Sequence, residues 1–285
     1  MQHTPQDDAA LEADPATGPA ALTPAEVDEF VHQINTFEAS SVSLEGRVSK
    51  GASTAAVIVA GGQGERFGNP GGKQMFEVLG KPVLTWSAEA FDATPDVGLI
   101  VIVCPENRQA EYCKHAIDPY PFVTPIVFAS SGEIRQESCM NGVDAVPTTY
   151  EYIAVHDGAR PLVTVDLITH AINALKGNLD ADGVVVGHPS IDTLKVVNGR
   201  SIVGTPDRTA FWIAQTPQVF RAKIARRAYK EAMFEGFVGT DDSSLVERIG
   251  GRVMMLEGPR DNIKVTVHED VGPVVAALSA RVGQR

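Results

Sequence analysis

The stretch AAVIVAGGQGERFGNPGGKQ, running from Ala55 to Gln74, begins as one kind of structure and ends as another. Its first six residues are small or β-branched and wholly apolar, the composition of a strand buried on both faces. The run then breaks into glycines, the last of them Gly71 and Gly72, followed by Lys73. Glycine permits positive φ and close approach, so that bare N–H groups can cradle phosphate oxygens; a tight strand-to-helix turn is the plain alternative. Two familiar phosphate loops are excluded. A Walker loop requires Gly-Lys-Ser/Thr, and here Gln74 follows Gly72-Lys73. A dinucleotide fingerprint requires Gly-x-Gly-x-x-Gly, and the run from Gly62 arrives at Phe67. Arg66 and Lys73 flank the glycines. They are either solvated surface cations, the default for such residues, or a bracket for a triphosphate whose charge grows as a phosphoryl centre is attacked.

Outward from this stretch, apolar runs alternate with helical periods. VGLIVIVC, PIVFA, YIAVH and GVVVG read as further buried strands, with PVLTWSAEAF, RQESCMNGVDAV and VDLITHAINALKG as helices between them. Such alternation implies an α/β fold whose mostly parallel sheet is covered on both faces, with functional groups beyond the carboxyl ends of the strands. In VHDGARP, Val155 to Pro161, Asp157 closes an apolar strand. A carboxylate there suits Mg²⁺, or caps a following helix. His156 alternates to the opposite face and reads as structural. Asn198-Gly199, between TLKVV and RSIVG, signals a two-residue hairpin turn, and residues 192–208 read as an arm reaching away from the sheet.

The chain has 285 residues, 44% hydrophobic and 21% charged, enough for one or two domains with a sizeable core. No apolar stretch approaches the roughly 18 residues of a membrane span, and the N-terminus lacks the basic and apolar regions of a secretory signal. The net charge of −12 is unevenly spread: nine of the 36 acidic residues precede Arg47, the first basic one, which leaves 27 acidic against 24 basic. The remainder can gather cations around a phosphorylated small molecule but has no basic stripe for nucleic acid. Residues 1–22, acidic and rich in Ala and Pro, read as disordered. TPAEVDEFVHQINTF reads as a helix capped by Thr23 and Glu26, with Val27, Phe30, Val31, Ile34 and Phe37 on one face. The helix and its linker occupy 23–53, and the main domain 54–285. Cys104, Cys113 and Cys139 lack metal or redox spacing and fit reduced thiols in a cytoplasm, the first and last as packing residues.

Taken with the glycine loop, its Arg66 and its Lys73, the motifs VHDGARP, RDNIKVT (Arg260 to Thr266), AQTPQVF, TDDSSLVERIGG and IDTLK resemble one family. They are similar to the 2-C-methyl-D-erythritol 4-phosphate cytidylyltransferases of the non-mevalonate isoprenoid pathway, within the glycosyltransferase-A-like nucleotidyltransferases. The resemblance runs from about Ala55 to Ala280, with GGK where the wider family usually has Pro-Lys. It implies a Rossmann-like three-layer fold with an extended β-hairpin arm. It further implies that CTP lies along Ala60, Gly61 and Gly62, and that Arg66 and Lys73 stabilise the pentavalent transition state. Asp157 and Asp261 would hold Mg²⁺, and Lys264 with Arg208 would position the substrate phosphate. Gly132, Glu133, Arg135 and Ser138 match the stretch for cytosine and ribose, Glu133 replacing the more usual Asp. Arg160 and Thr193 complete the binding set, and the arm would cross into the partner of a homodimer. Ribitol-5-phosphate cytidylyltransferases share much of this pattern and remain an alternative, as does a degenerate nucleotide-binding protein.

Overall fold

The structure is a computed structural model that describes residues 51–62, 67 and 72–283. The expected acidic tail, the helix after Thr23, nearly all of the linker and Arg66 lie outside the described residues.

The opening apolar run forms β1 (Thr54–Val59) at the middle of a seven-stranded sheet. Two short strands, β2 (Glu77–Val78) and β3 (Lys81–Pro82), pair as a hairpin and lead into α1 (Val83–Asp92). Next come β4 (Val97–Cys104), buried at every position, a short α2 (Gln109–Tyr112) and β5 (Ile126–Ser130). The chain then returns through α3 (Arg135–Asp144) to β6 (Tyr152–Asp157) on the other side of β1. Helix α4 (Val165–Lys176) buries Leu167, Ile168, Ala171, Ile172 and Leu175 as a single stripe. Its ends match helix chemistry: Thr164 Oγ1 accepts from Leu167 N at 3.2 Å, with Asp166 in the first turn and Lys176 in the last. Strand β7 (Gly183–Pro189) precedes the arm strands β8 (Val196–Asn198) and β9 (Ser201–Gly204). The chain closes with β10 (Trp212–Arg221), α5 (Ala222–Phe234), α6 (Asp242–Arg248), β11 (Val253–Glu257) and α7 (Val271–Val282).

The sheet order is β11-β7-β10-β6-β1-β4-β5, parallel except for β10, which runs against both neighbours. The expected α/β class and mostly parallel sheet are therefore observed. Strand β10 was not foreseen, because Pro217 in its middle offers no N–H to a ladder. The structure accommodates it at a register shift between Ala214 and Gln218. One face of the sheet packs Ala56, Ile58, Ile100 and Ile102 under α1 and α4. The other packs Ala55, Val57, Val101 and Val103 under α3, α5 and α6. These two apolar layers, of residues that alternate along the same strands, make three layers of structure. A third cluster, of Val83, Leu162, Val265, Val274 and Leu278, seats α7.

The arm needs one correction. Asn198 is paired with Ser201 as strand, so the two-residue loop is Gly199-Arg200, one residue later than Asn198-Gly199. Only Gly199 has positive φ, 58°, which matches a turn with glycine at its first central position.

Candidate active site

The order of β4, β1 and β6 creates a switch point, because the chain leaves β1 in one direction and returns on its other side. Ligands of open α/β sheets bind in the crevice beyond the carboxyl ends at such a point. Val59, the last residue of β1, pairs with Val103 on one side and Asp157 on the other. Beyond it, Ala60 N donates to Val103 O at 2.7 Å, and Tyr112 Oη donates to Ala60 O at 3.1 Å. Gly61 lies so close to Ser131 that a β-carbon would overlap the Ser131 side chain. Bare backbone is thus required at Gly61, where the chain leaving β1 lies against the β5–α3 loop. Gly132 N donates to Ser138 Oγ at 3.0 Å, and Glu133 N donates to Glu137 Oε2 at 2.7 Å, which fixes the entry to α3. Lys73, half-buried, follows Gly72 at φ 75°. Beside it the buried Gln74 turns its amide between Gly62 and Gly72.

Asp157 is the electrostatic centre. Only 8% of its side chain is exposed, and three cations from separate segments converge on it. Arg135 Nε lies 3.2 Å from Oδ1; Lys264 Nζ at 2.8 Å and Arg160 Nε at 3.5 Å face Oδ2. Burial alone would raise this carboxyl, but Arg135, Lys264 and Arg160 hold it far below the usual carboxylate range, so it is ionised. Arg160 also donates to Asn262 O at 2.7 Å, and Asn262 Nδ2 donates to Thr216 O at 2.9 Å. Val265 N donates to Ala159 O at 2.8 Å. The DNIK segment is thereby docked along the DGAR segment, which is what brings Lys264 to Asp157.

His156 is fully buried, and burial lowers its pKa to about 3, so the ring is neutral. Nε2 faces Arg160 O at 3.4 Å; a carbonyl can only accept, so Nε2 carries the proton. Nδ1 therefore accepts from Thr216 Oγ1 at 3.0 Å, while the same hydroxyl oxygen accepts from Asp157 N at 3.0 Å. The ring holds the end of β6 in place, the structural part expected of it. Cys104 and Cys139 are buried free thiols, with burial pushing Cys104 up to about 12.

The remaining expected residues make no hydrogen bond or ion pair with Asp157. Asp261 is exposed, and its carboxylate faces Arg281 at 3.6 Å. Thr193 and Arg208 are exposed at the foot of the arm, where Arg208 Nη1 donates to Ile191 O at 2.7 Å. Sequence reasoning passed over Thr216, Tyr229 and Asp242 as individual residues. Arg135 binds Asp242 with both terminal nitrogens, at 3.0 and 2.9 Å. The only signal for Asp242 and Thr216 was their place within the motifs TDDSSLVERIGG and AQTPQVF.

A model of the family described as 2-C-methyl-D-erythritol 4-phosphate cytidylyltransferase matches residues 54–279. The 2-C-methyl-D-erythritol 4-phosphate cytidylyltransferase of Caldanaerobacter subterraneus subsp. tengcongensis is 42% identical over 229 residues, which cover 79% of this chain and 98% of that protein. That of Geotalea uraniireducens is 36% identical over 219 residues, covering 76% of this chain and 92% of its own. Among solved structures, a 4-diphosphocytidyl-2C-methyl-D-erythritol synthase from Anaerococcus prevotii has a TM-score of 0.70 at 27% identity. The match covers 80% of this chain and 99% of that one. A 2-C-methyl-D-erythritol 4-phosphate cytidylyltransferase from Thermus thermophilus has a TM-score of 0.61 at 26% identity, covering 79% and 98%.

Proposed function

This chain belongs to the 2-C-methyl-D-erythritol 4-phosphate cytidylyltransferase family, and from that premise we propose how its site works. It is a nucleotidyltransferase that moves CMP from CTP to 2-C-methyl-D-erythritol 4-phosphate, giving 4-diphosphocytidyl-2-C-methyl-D-erythritol and pyrophosphate. The observation that carries the reading is the convergence of Arg135, Arg160 and Lys264 on Asp157 beside a bare glycine backbone. Ribitol 5-phosphate is not favoured as acceptor by these relatives. A degenerate copy would have been free to lose Arg66, Lys73, Asp157, Asp261 or Lys264, and all five are present.

An anionic oxygen of the acceptor phosphate attacks the α-phosphorus of CTP. The bond from that phosphorus to the bridging oxygen breaks, and the electron pair leaves with pyrophosphate. The nucleophile is already charged, so no general base is required. Catalysis reduces to alignment and neutralisation. Arg66 and Lys73 take up charge developing at the α-phosphate, where preorganised donors contribute most. Ala60, Gly61 and Gly62 present backbone to the triphosphate, and Gly132, Glu133, Arg135 and Ser138 receive the base and ribose. Lys264 and Arg160, with Thr193 and Arg208, hold the acceptor.

The carboxylates of Asp157 and Asp261 are hard oxygen donors of the kind Mg²⁺ takes, one or two at a time with phosphate and water. To hold the ion jointly, Asp157 would give up its Lys264 and Arg160 contacts and Asp261 its Arg281 contact. Bound there, it would neutralise phosphate charge. Among the described residues no group of three or more His, Cys, Asp or Glu could hold a metal alone, so these two carboxylates are its whole protein share in this reading.

The arm is proposed to reach a second copy, so that Thr193 and Arg208 serve the neighbour's site. In support, Val196, Val197, Ile202 and Val203 are each more than half exposed on a two-stranded sheet detached from the main one. Apolar side chains gathered in that way mark an interaction surface. No helix among the described residues is long and apolar enough to cross a membrane. The three free thiols fit a reducing cytoplasm.

The test is to incubate the protein with CTP and Mg²⁺ and each polyol phosphate separately, and to weigh the products. Methylerythritol phosphate should yield the cytidine diphosphate adduct with one pyrophosphate released per turnover. Equal or greater turnover of ribitol 5-phosphate would overturn the acceptor, and no product with either would overturn the activity.

A further inference from the structure

The motif TDDSSLVERIGG supplies two adjacent carboxylates with different fates. Asp241 acts locally: it caps α6, accepting from Ser244 N at 3.0 Å, and accepts from Gln218 Nε2 at 2.9 Å. Asp242 is the first residue of a helix, where an acidic side chain ordinarily points to water and complements the dipole. Here it is 2% exposed. It lies against an apolar layer that includes Cys139, Val143, Leu245 and Val246. Burying a carboxylate in such surroundings costs several kcal/mol unless it is paired and fully hydrogen-bonded, and an apolar residue would pack there at less cost.

Its partners give the reason for the charge. Arg135 faces Asp242 through Nη1 and Nη2, at 3.0 and 2.9 Å, and Tyr229 Oη donates to the same Oδ1 at 2.6 Å. Nε of Arg135 reaches Asp157, at 3.2 Å, and the outer N–H of each terminal nitrogen is left for a ligand. One guanidinium is therefore shared between two buried carboxylates, with its fork on Asp242 and its single edge donor on Asp157. A bidentate pair fixes the plane of the guanidinium as well as its position, which a single hydrogen bond does not.

We propose that Asp242 is a positioning residue of the reaction: with Tyr229 behind it, its bidentate hold sets the plane of Arg135 for the nucleotide. This rests on the reading of Arg135 as a nucleotide contact. Asp157 can then change partners as substrates arrive without releasing Arg135, because the stronger bonds of the guanidinium are made elsewhere.

The experiment measures CTP binding by calorimetry alongside steady-state kinetics for three proteins: wild type, Asp242→Asn and Tyr229→Phe. Asp242→Asn removes the charge and one acceptor oxygen at constant shape; CTP should bind about tenfold more weakly, with KM for the acceptor within about twofold of wild type. Tyr229→Phe keeps both charges and should weaken CTP about threefold, again leaving the acceptor unaffected. A folded Asp242→Asn protein with wild-type CTP affinity overturns the proposal, as do equal losses for CTP and acceptor, the pattern of a merely loosened fold. If Asp242→Asn does not fold, Tyr229→Phe decides: unchanged CTP affinity overturns it and a selective loss supports it. Wild-type protein that binds CTP but forms no product would sink the proposed activity, while the binding measurements would still decide the part played by Asp242.

Discussion

Asp157, His156 and Thr216 form a short chain of hydrogen bonds in which each group has its direction set by its neighbour. The carbonyl of Arg160 fixes the His156 tautomer, the tautomer fixes the threonine hydroxyl, and the hydroxyl receives the Asp157 amide. Nothing in that chain is free to turn, so Asp157 meets its three cations with its backbone locked. Elsewhere a single residue is held at a cost. Leu79 has φ 53° in the β2–β3 turn, followed by Gly80 at 73°. Two consecutive positive φ values suit a type I′ turn, for which Asn-Gly is the preferred pair. A leucine in left-handed conformation loses roughly 1–2 kcal/mol, and its side chain, 48% exposed, regains little by burial. Leu79→Asn should therefore stabilise the protein by about 0.5–1 kcal/mol with activity unchanged, read as a higher urea midpoint at constant slope. A lower midpoint would mean that the leucine earns its place by packing.

Helix α3 sits closer to the sheet than ordinary side chains allow. A β-carbon on Gly142 would overlap Val57 Cγ1 and lie 2.7 Å from Val103 Cγ2, so glycine sets the distance between helix and strands. That distance matters for the site, because α3 begins at Arg135 and its entry loop carries Gly132 and Glu133. Gly142→Val should cost about 1–3 kcal/mol through overpacking and should also raise KM for CTP, since a helix that yields as one rod lifts Arg135 with it. Urea denaturation and kinetics on the same sample test this. Destabilisation with unchanged KM would show that the strain is relieved at the other end of the helix. The arm strands follow the opposite rule: β8 and β9 contain no buried residue, and their apolar side chains, each more than half exposed, gain further if something else covers them.

Across the molecule, the order of the strands assembles the crevice, and the arm is proposed to complete it from a second copy. Thr193 and Arg208 make no bond to Asp157 and lie at the two ends of a hairpin with exposed apolar side chains. An arm exchanged across a two-fold axis would bring the same residues to both sites. Lys73→Ala and Arg208→Ala subunits, each inactive alone, should then complement when mixed. A mixed dimer holds one doubly damaged and one intact site, so random exchange of equal amounts recovers about a quarter of wild-type activity. Proven exchange without recovery would assign Arg208 to its own chain.

Much of this protein could be read in local patterns. Six-residue apolar runs and helical stripes are short-range consequences of backbone geometry, so β1, β4, β6, α1 and α4 appear close to where composition puts them. Asp157 at the end of an apolar run and glycines after β1 likewise place the site at the carboxyl edge of the sheet. The antiparallel course of β10, the one-residue displacement of the arm turn and the partners of each charge were not legible in that way. Asp157 meets an arginine 22 residues before it, and that arginine meets Asp242, 107 residues further along the chain. The strength of such pairs depends on how completely water is removed around them, and water is removed only when distant segments pack together.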